Sequence, residues 1–519
     1  MLRQIVLSII VALPASCLFA QPGGRTLLTP EAASRFLEQA TWGPGPGDVL
    51  HLRQAGFEDW LTEQFGEPPS AIPDPSTTEK GIRSLQDSFF LNAINGPDQL
   101  RQRVAFALSE IWVVSALQEN QSIWMTPYWR LLLQDAFGNY RGLMNDMTLD
   151  PGMGRYLNMV NNDKANAVKG TTANENYARE LMQLFTLGVN LLNPDGSLHL
   201  DASGHPIPTY AQADVVSMSR ALTGWTYPPS PGQNTPQSAG KHNPTYWVGP
   251  MAANEANHDT GAKTLLNGEQ SPAGQTAEAD LKAALDNVFN HPNVGPFLSR
   301  QLIQHLVSSN PSPQYVERVS AVFAHDGSGV RGNLQAVVRA ILLDPEARAG
   351  DDPSQVEANG GHLREPVLFL TAIYRMLGAT TTDGSTGSQL PTALGQRLFY
   401  EPSVFSYFSP QYRLAGLGLP APEFQLHSPA AAIARANLAT ALVNGHKDKS
   451  TTFDFSRYLE AAGNSAELID LIDRTMLHGA MSGALRDALG GMLGGARGSA
   501  QVKNAIALVA ASPEFSVEK

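Results

Sequence analysis

Apolar positions recur along most of the chain with the 3.6-residue period of a helix buried on one face. In "PDQLRQRVAFALSEIWVVSAL" (97–117), Leu100, Val104, Ala107, Leu108, Ile111, Val114 and Ser115 share one side of a helical wheel. Pro97 suits a first helical turn, and Asp98 and Gln99 suit its positive end. In "NENYARELMQLFTLGVN" (174–190), Tyr177, Leu181, Leu184, Phe185 and Gly188 form the apolar face. Glu175 and Arg179 lie opposite it as an i,i+4 pair, worth about 0.2–0.5 kcal/mol. Asn176, Glu180 and Gln183 run along the edge between the two faces. A carboxylate at the edge of a core needs a partner, because desolvation alone costs several kcal/mol. Arg220 of "SRALTGW" is one candidate partner; a pocket that Asn176 and Glu180 line is the other possibility.

Five segments carry a capping residue followed by proline, which spells a helix start. They are Thr29-Pro30-Glu31, Thr126-Pro127, Ser312-Pro313, Asp344-Pro345-Glu346 and Ser512-Pro513-Glu514. Strand signals are scarce. "NPDGSLHLDASGHPIPTY" (193–210) predicts one hairpin, turning at Asp201 to Gly204, and Thr209 with Gln212 makes a capping-box pattern for the next helix. "REP" (364–366) marks a helix boundary set by Pro366. Loop composition fills 227–257, 350–361 and 378–387.

These patterns predict a mainly α fold: a large multi-helix protein of two packed helical lobes, with one small β-hairpin and long ordered loops. The N-terminal lobe spans 25–226, the long loop 227–257 and the C-terminal lobe 258–519. Segments 297–348 and 469–515 share an order of helices, an Arg-Gly pair (Arg331-Gly332 and Arg497-Gly498) and a closing Asp/Ser-Pro-Glu. Internal duplication is one explanation of that order, and common helix-joining grammar is the other.

The first twenty residues, "MLRQIVLSIIVALPASCLFA", change the picture of where the protein works. Arg3, a short apolar run and small residues ending at Ala20 predict a signal peptide over 1–20, hence export to the periplasm or beyond. Lipidation of Cys17 is the competing reading, against which Pro14 stands. Cys17 is the single cysteine, so a mature chain has no disulfide, thiolate ligand or cysteine nucleophile. Net charge is −12 with only 16% charged residues, against about 25% in a typical domain. Such a surface excludes nucleic acid as a natural partner. No later segment has the length and apolarity of a transmembrane helix.

Candidate chemistry is sparse. "HDTGAKTLL" (258–266) offers His258 beside Asp259, with Lys263 four residues on. Histidine with carboxylate suits proton transfer or metal binding. Trp225 and Tyr227, with Tyr246 and Trp247, flank the long loop and suit either sugar stacking or loop anchoring. No Gly-x-Ser-x-Gly elbow occurs. The expected site is therefore a cleft between the "NENYARE" helix and the "HDTGAK" segment. Glu180, His258 and Asp259 are its candidate catalytic groups, and Asn176, Arg179, Arg220, Trp225 and Lys263 its candidate binding groups. Metal and cofactor stay open.

Several stretches together resemble a bacterial family of unknown function, domain-of-unknown-function family 1800. They include "RFLEQATWGP" (35–44), "LRQRVAFALSEIWV" (100–113), "NENYARELMQLFTLGV" (174–189), "YAQADVVSMSRALTGW" (210–225) and "HDTGAKTLL". Further along come "HPNVGPFLSRQLIQHLV" (291–307), "LREPV" (363–367), "PSVFSYFSPQY" (402–412) and "APEFQL" (421–426). The resemblance implies an exported protein, often encoded beside an alkaline-phosphatase-like exported partner, and implies no reaction. Two functions follow as expectations. One is an exported protein that binds and hydrolyses a polar substrate such as a glycan between its lobes. The other is a non-catalytic envelope scaffold or partner of the phosphatase-like protein.

Overall fold

Every residue of the Gln99–Ile111 helix is buried. The periodicity assigns it one apolar face, but neighbours cover it on all sides, so Arg101, Gln102, Arg103 and Glu110 must find partners inside the protein. It packs on Ser122–Asp135 before it in space and on Val294–Leu306 from the far half of the chain.

The computed structural model describes residues 27–519 apart from 358–359, 386, 388–389, 446–449 and 495–497. The expected signal peptide at 1–20, Cys17 and Arg497 lie outside the described residues. Among the described residues the protein is mainly α, as predicted: 22 α-helices and four antiparallel ladders of two-residue strands. No helix among them is long and apolar enough to cross a membrane. One apolar cluster runs from Ala33 to Phe515, so segments on both sides of the 227–257 loop share a core.

Helix starts follow the cap-then-proline signals at Thr29, Ser312, Asp344 and Ser512, whose side-chain oxygens accept backbone N–H groups at the first turn. Pro366 likewise opens Pro366–Met376. Thr126-Pro127 differs: the helix begins at Ser122, and Pro127 sits inside it. Buried Trp124 and Met125 extend the apolar face upstream, and core burial outweighs the hydrogen bond that proline forgoes. The capping box near 210 is also displaced. Asp214 accepts from the Ala211 N–H at 2.7 Å, while Thr209 Oγ1 faces Asn293.

The hairpin turns where predicted, with the Asp201 N–H donating to the His205 carbonyl at 2.8 Å. A third segment joins it: Leu191 donates to Ile207 and accepts from His199, both at 2.8 Å. The "NENY" helix is α only over Asn176–Glu180, then widens into a π turn over Leu181–Thr186. The wider turn brings Met182 and Thr186 into the buried face beside Tyr177, Leu181 and Phe185.

The two repeat-like segments contain the same four helices: Val294–Leu306, Pro313–Ala324, Leu334–Leu343 and Pro345–Arg348, against Ser465–Met476, Gly483–Leu493, Ser499–Ala510 and Pro513–Ser516. They also share a clasp. Glu346 accepts from the N–H and hydroxyl of Ser312, and Glu514 accepts from those of Ser482. In each case the N-cap serine of the second helix is tied to the Pro-Glu turn of the fourth. A common clasp is more than helix-joining grammar requires, and it favours duplication.

Gly224 in "LTGW" has φ +89°, and a Cβ there would lie 2.9 Å from His258 Cβ. Gly224→Ala combines left-handed strain with that clash and should cost about 1–3 kcal/mol. Urea unfolding checks it, and an unchanged midpoint would show that the 258 segment can move aside.

Candidate functional site

The "HDTGAK" segment folds into a closed ionic network. His258 is fully buried, with Nδ1 2.9 Å from the Thr223 carbonyl and Nε2 2.9 Å from Asp280 Oδ2. Lys263 Nζ donates to the same Asp280 oxygen and to the Asp259 carbonyl, each at 2.5 Å. Ser271 donates to the other Asp280 oxygen. Asp259 turns to Arg220, which grips it with two hydrogen bonds of 2.8 and 3.1 Å. Arg220 thus belongs to Asp259, and no hydrogen bond or ion pair among the described residues joins it to Glu180.

Around Glu180 the contacts are local. Arg179 pairs with Glu175 at 2.8 Å and with Gln212 at 3.2 Å. The Asn176 amide donates to Asn158 at 3.1 Å. Burial pushes the Glu180 carboxyl up, Arg179 pulls it back, and Oε2 has no hydrogen-bond partner among the described residues. Trp225 is buried and its backbone pairs with Ala253. Tyr227 and Trp247 pack with Trp124 in a small cluster that anchors the long loop. None of the eight expected site residues lines the cleft or chamber described next.

A second polar centre lies deep between distant segments. Glu110 sits in the last turn of the Gln99–Ile111 helix, His305 in the last turn of Val294–Leu306, and Glu365 immediately precedes Pro366–Met376. Their donor atoms all lie within 4.8 Å of one another, the one such trio among the described residues. His305 Nδ1 is 3.1 Å from Glu110 Oε2. The buried Gln396 amide donates to Glu365 at 2.5 Å and to Glu110 at 3.3 Å. Glu365 Oε1, although buried, has no hydrogen-bond partner among the described residues.

Electrostatics favour keeping a proton on this centre. Burial pushes Glu110 up to about 7, offset by its hydrogen bond to Glu365 and by the Arg103 charge. Burial, then the Glu110 charge, raises Glu365 well above the carboxylate range. Two carboxyls in contact cannot both ionise cheaply, so the pair holds a shared proton, with Glu365 its keeper. Glu423 and Glu401, nearby and buried, are pushed by burial to about 7 and about 8. Burial lowers His305. Arg103 braces the site by donating to the His305 carbonyl at 2.6 Å. The backbone leading to and from Glu401 is strained: Phe399 and Ser406 both have φ above +60°, costly for residues with a Cβ.

A chamber and a cleft lie beside the centre. His305, His362, Phe408 and Glu423 line a chamber of about 10 Å³, room for one water, and its walls Gln301, Gln304 and Pro410 also line a cleft of about 450 Å³. One wall of that cleft is 187–192, which continues directly from the π turn, together with hairpin residues Gly196 to Leu198. Phe297 and Arg300 of the Val294–Leu306 helix and the 410–420 loop complete it.

A model of the family described as "Protein of unknown function (DUF1800)" matches residues 35–517. The chain belongs to the DUF1800 family. Neither a curated protein nor a solved structure matches it. Five of the stretches on which the DUF1800 resemblance rests meet at the centre and its chamber: 100–113 brings Arg103 and Glu110, 291–307 brings His305, 363–367 brings Glu365, 402–412 brings Phe408 and 421–426 brings Glu423. Two oxygen donors and one imidazole on a common centre can also hold a divalent cation such as Zn²⁺ or Mn²⁺.

Proposed function

We propose that the protein is an exported hydrolase whose reaction centre is Glu110, Glu365 and His305 at the foot of the cleft. The observation that carries this reading is a buried carboxyl pair in contact beside a histidine, whose imidazole lines a small chamber next to a substrate-sized cleft. One member of the pair is ionised and accepts a proton from water. The water oxygen then bonds to a carbonyl or phosphoryl atom, and the protonated member gives its proton to the departing oxygen or nitrogen. Glycosidases hold their two carboxyls about 5 Å apart or more, on either side of the sugar ring. Carboxyls in mutual contact do not straddle a ring, so esters, amides or phosphoesters fit this centre better than glycosides.

Glu365→Gln tests the reading cleanly. A protonated carboxyl and an amide have nearly the same shape, so the variant should fold as the parent does. Turnover on a panel of small esters, amides and phosphoesters, assayed with and without added Zn²⁺ or Mn²⁺, should fall about 10²–10⁴-fold. Metal content of the purified mature protein shows whether a cation takes part. A parent inactive across the panel would leave the scaffold reading, which the closed network around Asp280 favours because it gives His258, Asp259 and Lys263 structural work. That reading expects capture of a phosphatase-like exported partner.

A further inference from the structure

We infer that the substrate carries an anionic group, a carboxylate or a phosphate, received by Arg300 and Arg413 in the cleft. The word substrate rests on the hydrolase reading; the anion site itself rests on the cleft alone. The protein has 48 acidic residues against 36 basic ones, yet no aspartate or glutamate lines this cleft and two arginines do.

Arg300 has no hydrogen-bond or ion-pair partner among the described residues, and burial, then the neighbouring Arg413 charge, pulls its guanidinium down. Arg413 donates to the Gly418 carbonyl at 2.7 Å and has no carboxylate partner among the described residues. Two guanidinium groups held close enough to repel, in an acidic protein, are at odds with simple stability. A shared anion resolves both the repulsion and the missing hydrogen bonds, since the planar fork matches carboxylate and phosphate oxygens. The Gln301 side-chain nitrogen, also without a partner, stands between the arginines and the chamber and adds neutral donors on the same path.

The helix sets the ruler. Arg300 and His305 are five residues apart on Val294–Leu306, an axial rise of about 7.5 Å. That rise is the least distance the substrate must span between its anionic group and its reacting bond, since five residues also turn the helix by about 140°.

Equilibrium titration of the mature protein with inorganic phosphate and with succinate, at ionic strength held constant by sodium chloride, tests this. We expect saturable binding of at least one probe, with phosphate or succinate preference identifying the anion. Arg300→Gln and Arg413→Gln should each weaken it at least tenfold, while Glu365→Gln binds as the parent does. Lack of saturable binding by either probe, or binding undiminished in the double variant, overturns the proposal. If Arg300→Gln does not fold, Arg300→Lys combined with Arg413→Gln gives the same readout. Anion binding retained by a parent that hydrolyses nothing would sink the hydrolase reading and leave the anion site standing.

Discussion

Replacing Asp280 with alanine should destabilise the protein by about 3–5 kcal/mol, the cost of stripping one partner from a buried ion pair. Asp280 is the hub to which His258 Nε2, Lys263 Nζ and Ser271 Oγ all turn. Its side chain and that of Lys263 are wholly shielded from water. Without the carboxylate, the ammonium keeps only the Asp259 and Gly261 carbonyls. Lysine and histidine sit at the exit of the 227–257 loop, so that loop should become the first site of proteolytic nicking. Urea unfolding at pH 7 and limited proteolysis measure both effects. A loss below about 1 kcal/mol would mean that the network is incidental to folding.

Stability should also fall as pH rises from 6.5 to 8.5. Burial pushes Asp150 to about 7 and Glu401 to about 8. Their folded values exceed their unfolded ones, so the folded state holds protons that the unfolded chain has released. Stability from these groups is full below about pH 4 and is lost as pH climbs through the folded values. Buried His362 and His478, whose values burial lowers, act in the opposite sense. They favour the unfolded state only where that state protonates them, below about pH 6.5. Above that point the carboxyls act alone, and Glu401 by itself accounts for about 2 kcal/mol at 1.4 kcal/mol per unit. Urea midpoints at pH 6.5 and 8.5 in EDTA give the comparison. A midpoint that holds or rises would show these carboxyls to be hydrated and ordinary.

The helical architecture was legible because cap, proline and period are local signals, and the four correct cap-proline starts depend on nothing farther than one turn. Pro127 and Thr209 departed where distant packing outweighed them. The centre was hard to find for the opposite reason. Arg103 and Glu110, two turns apart, form a stripe of their own on a helix that looks one-sided, and one stripe cannot reveal that the other side is also covered. Glu365 stands in "REP", where Pro366 alone accounts for the pattern as a helix boundary. The usable signal was the shared location of Gln301 and His305, four residues apart, on one face of "FLSRQLIQHLV". By contrast, the His258-Asp259 pair drew notice because its members are adjacent in sequence, and adjacency along an extended backbone sends them to different partners.

The Gln396 amide that bridges the carboxyl pair is 286 residues from Glu110 along the chain. A ribosome delivers those residues at roughly 5–20 per second, so for many seconds Glu110 exists without the histidine, the second carboxyl or the amide. Contacts this remote also carry a large loop-closure cost and form late. The bridged carboxyl pair is thus absent from any nascent fragment that stops short of Gln396, and most of the chain is synthesised before the pair can be bridged.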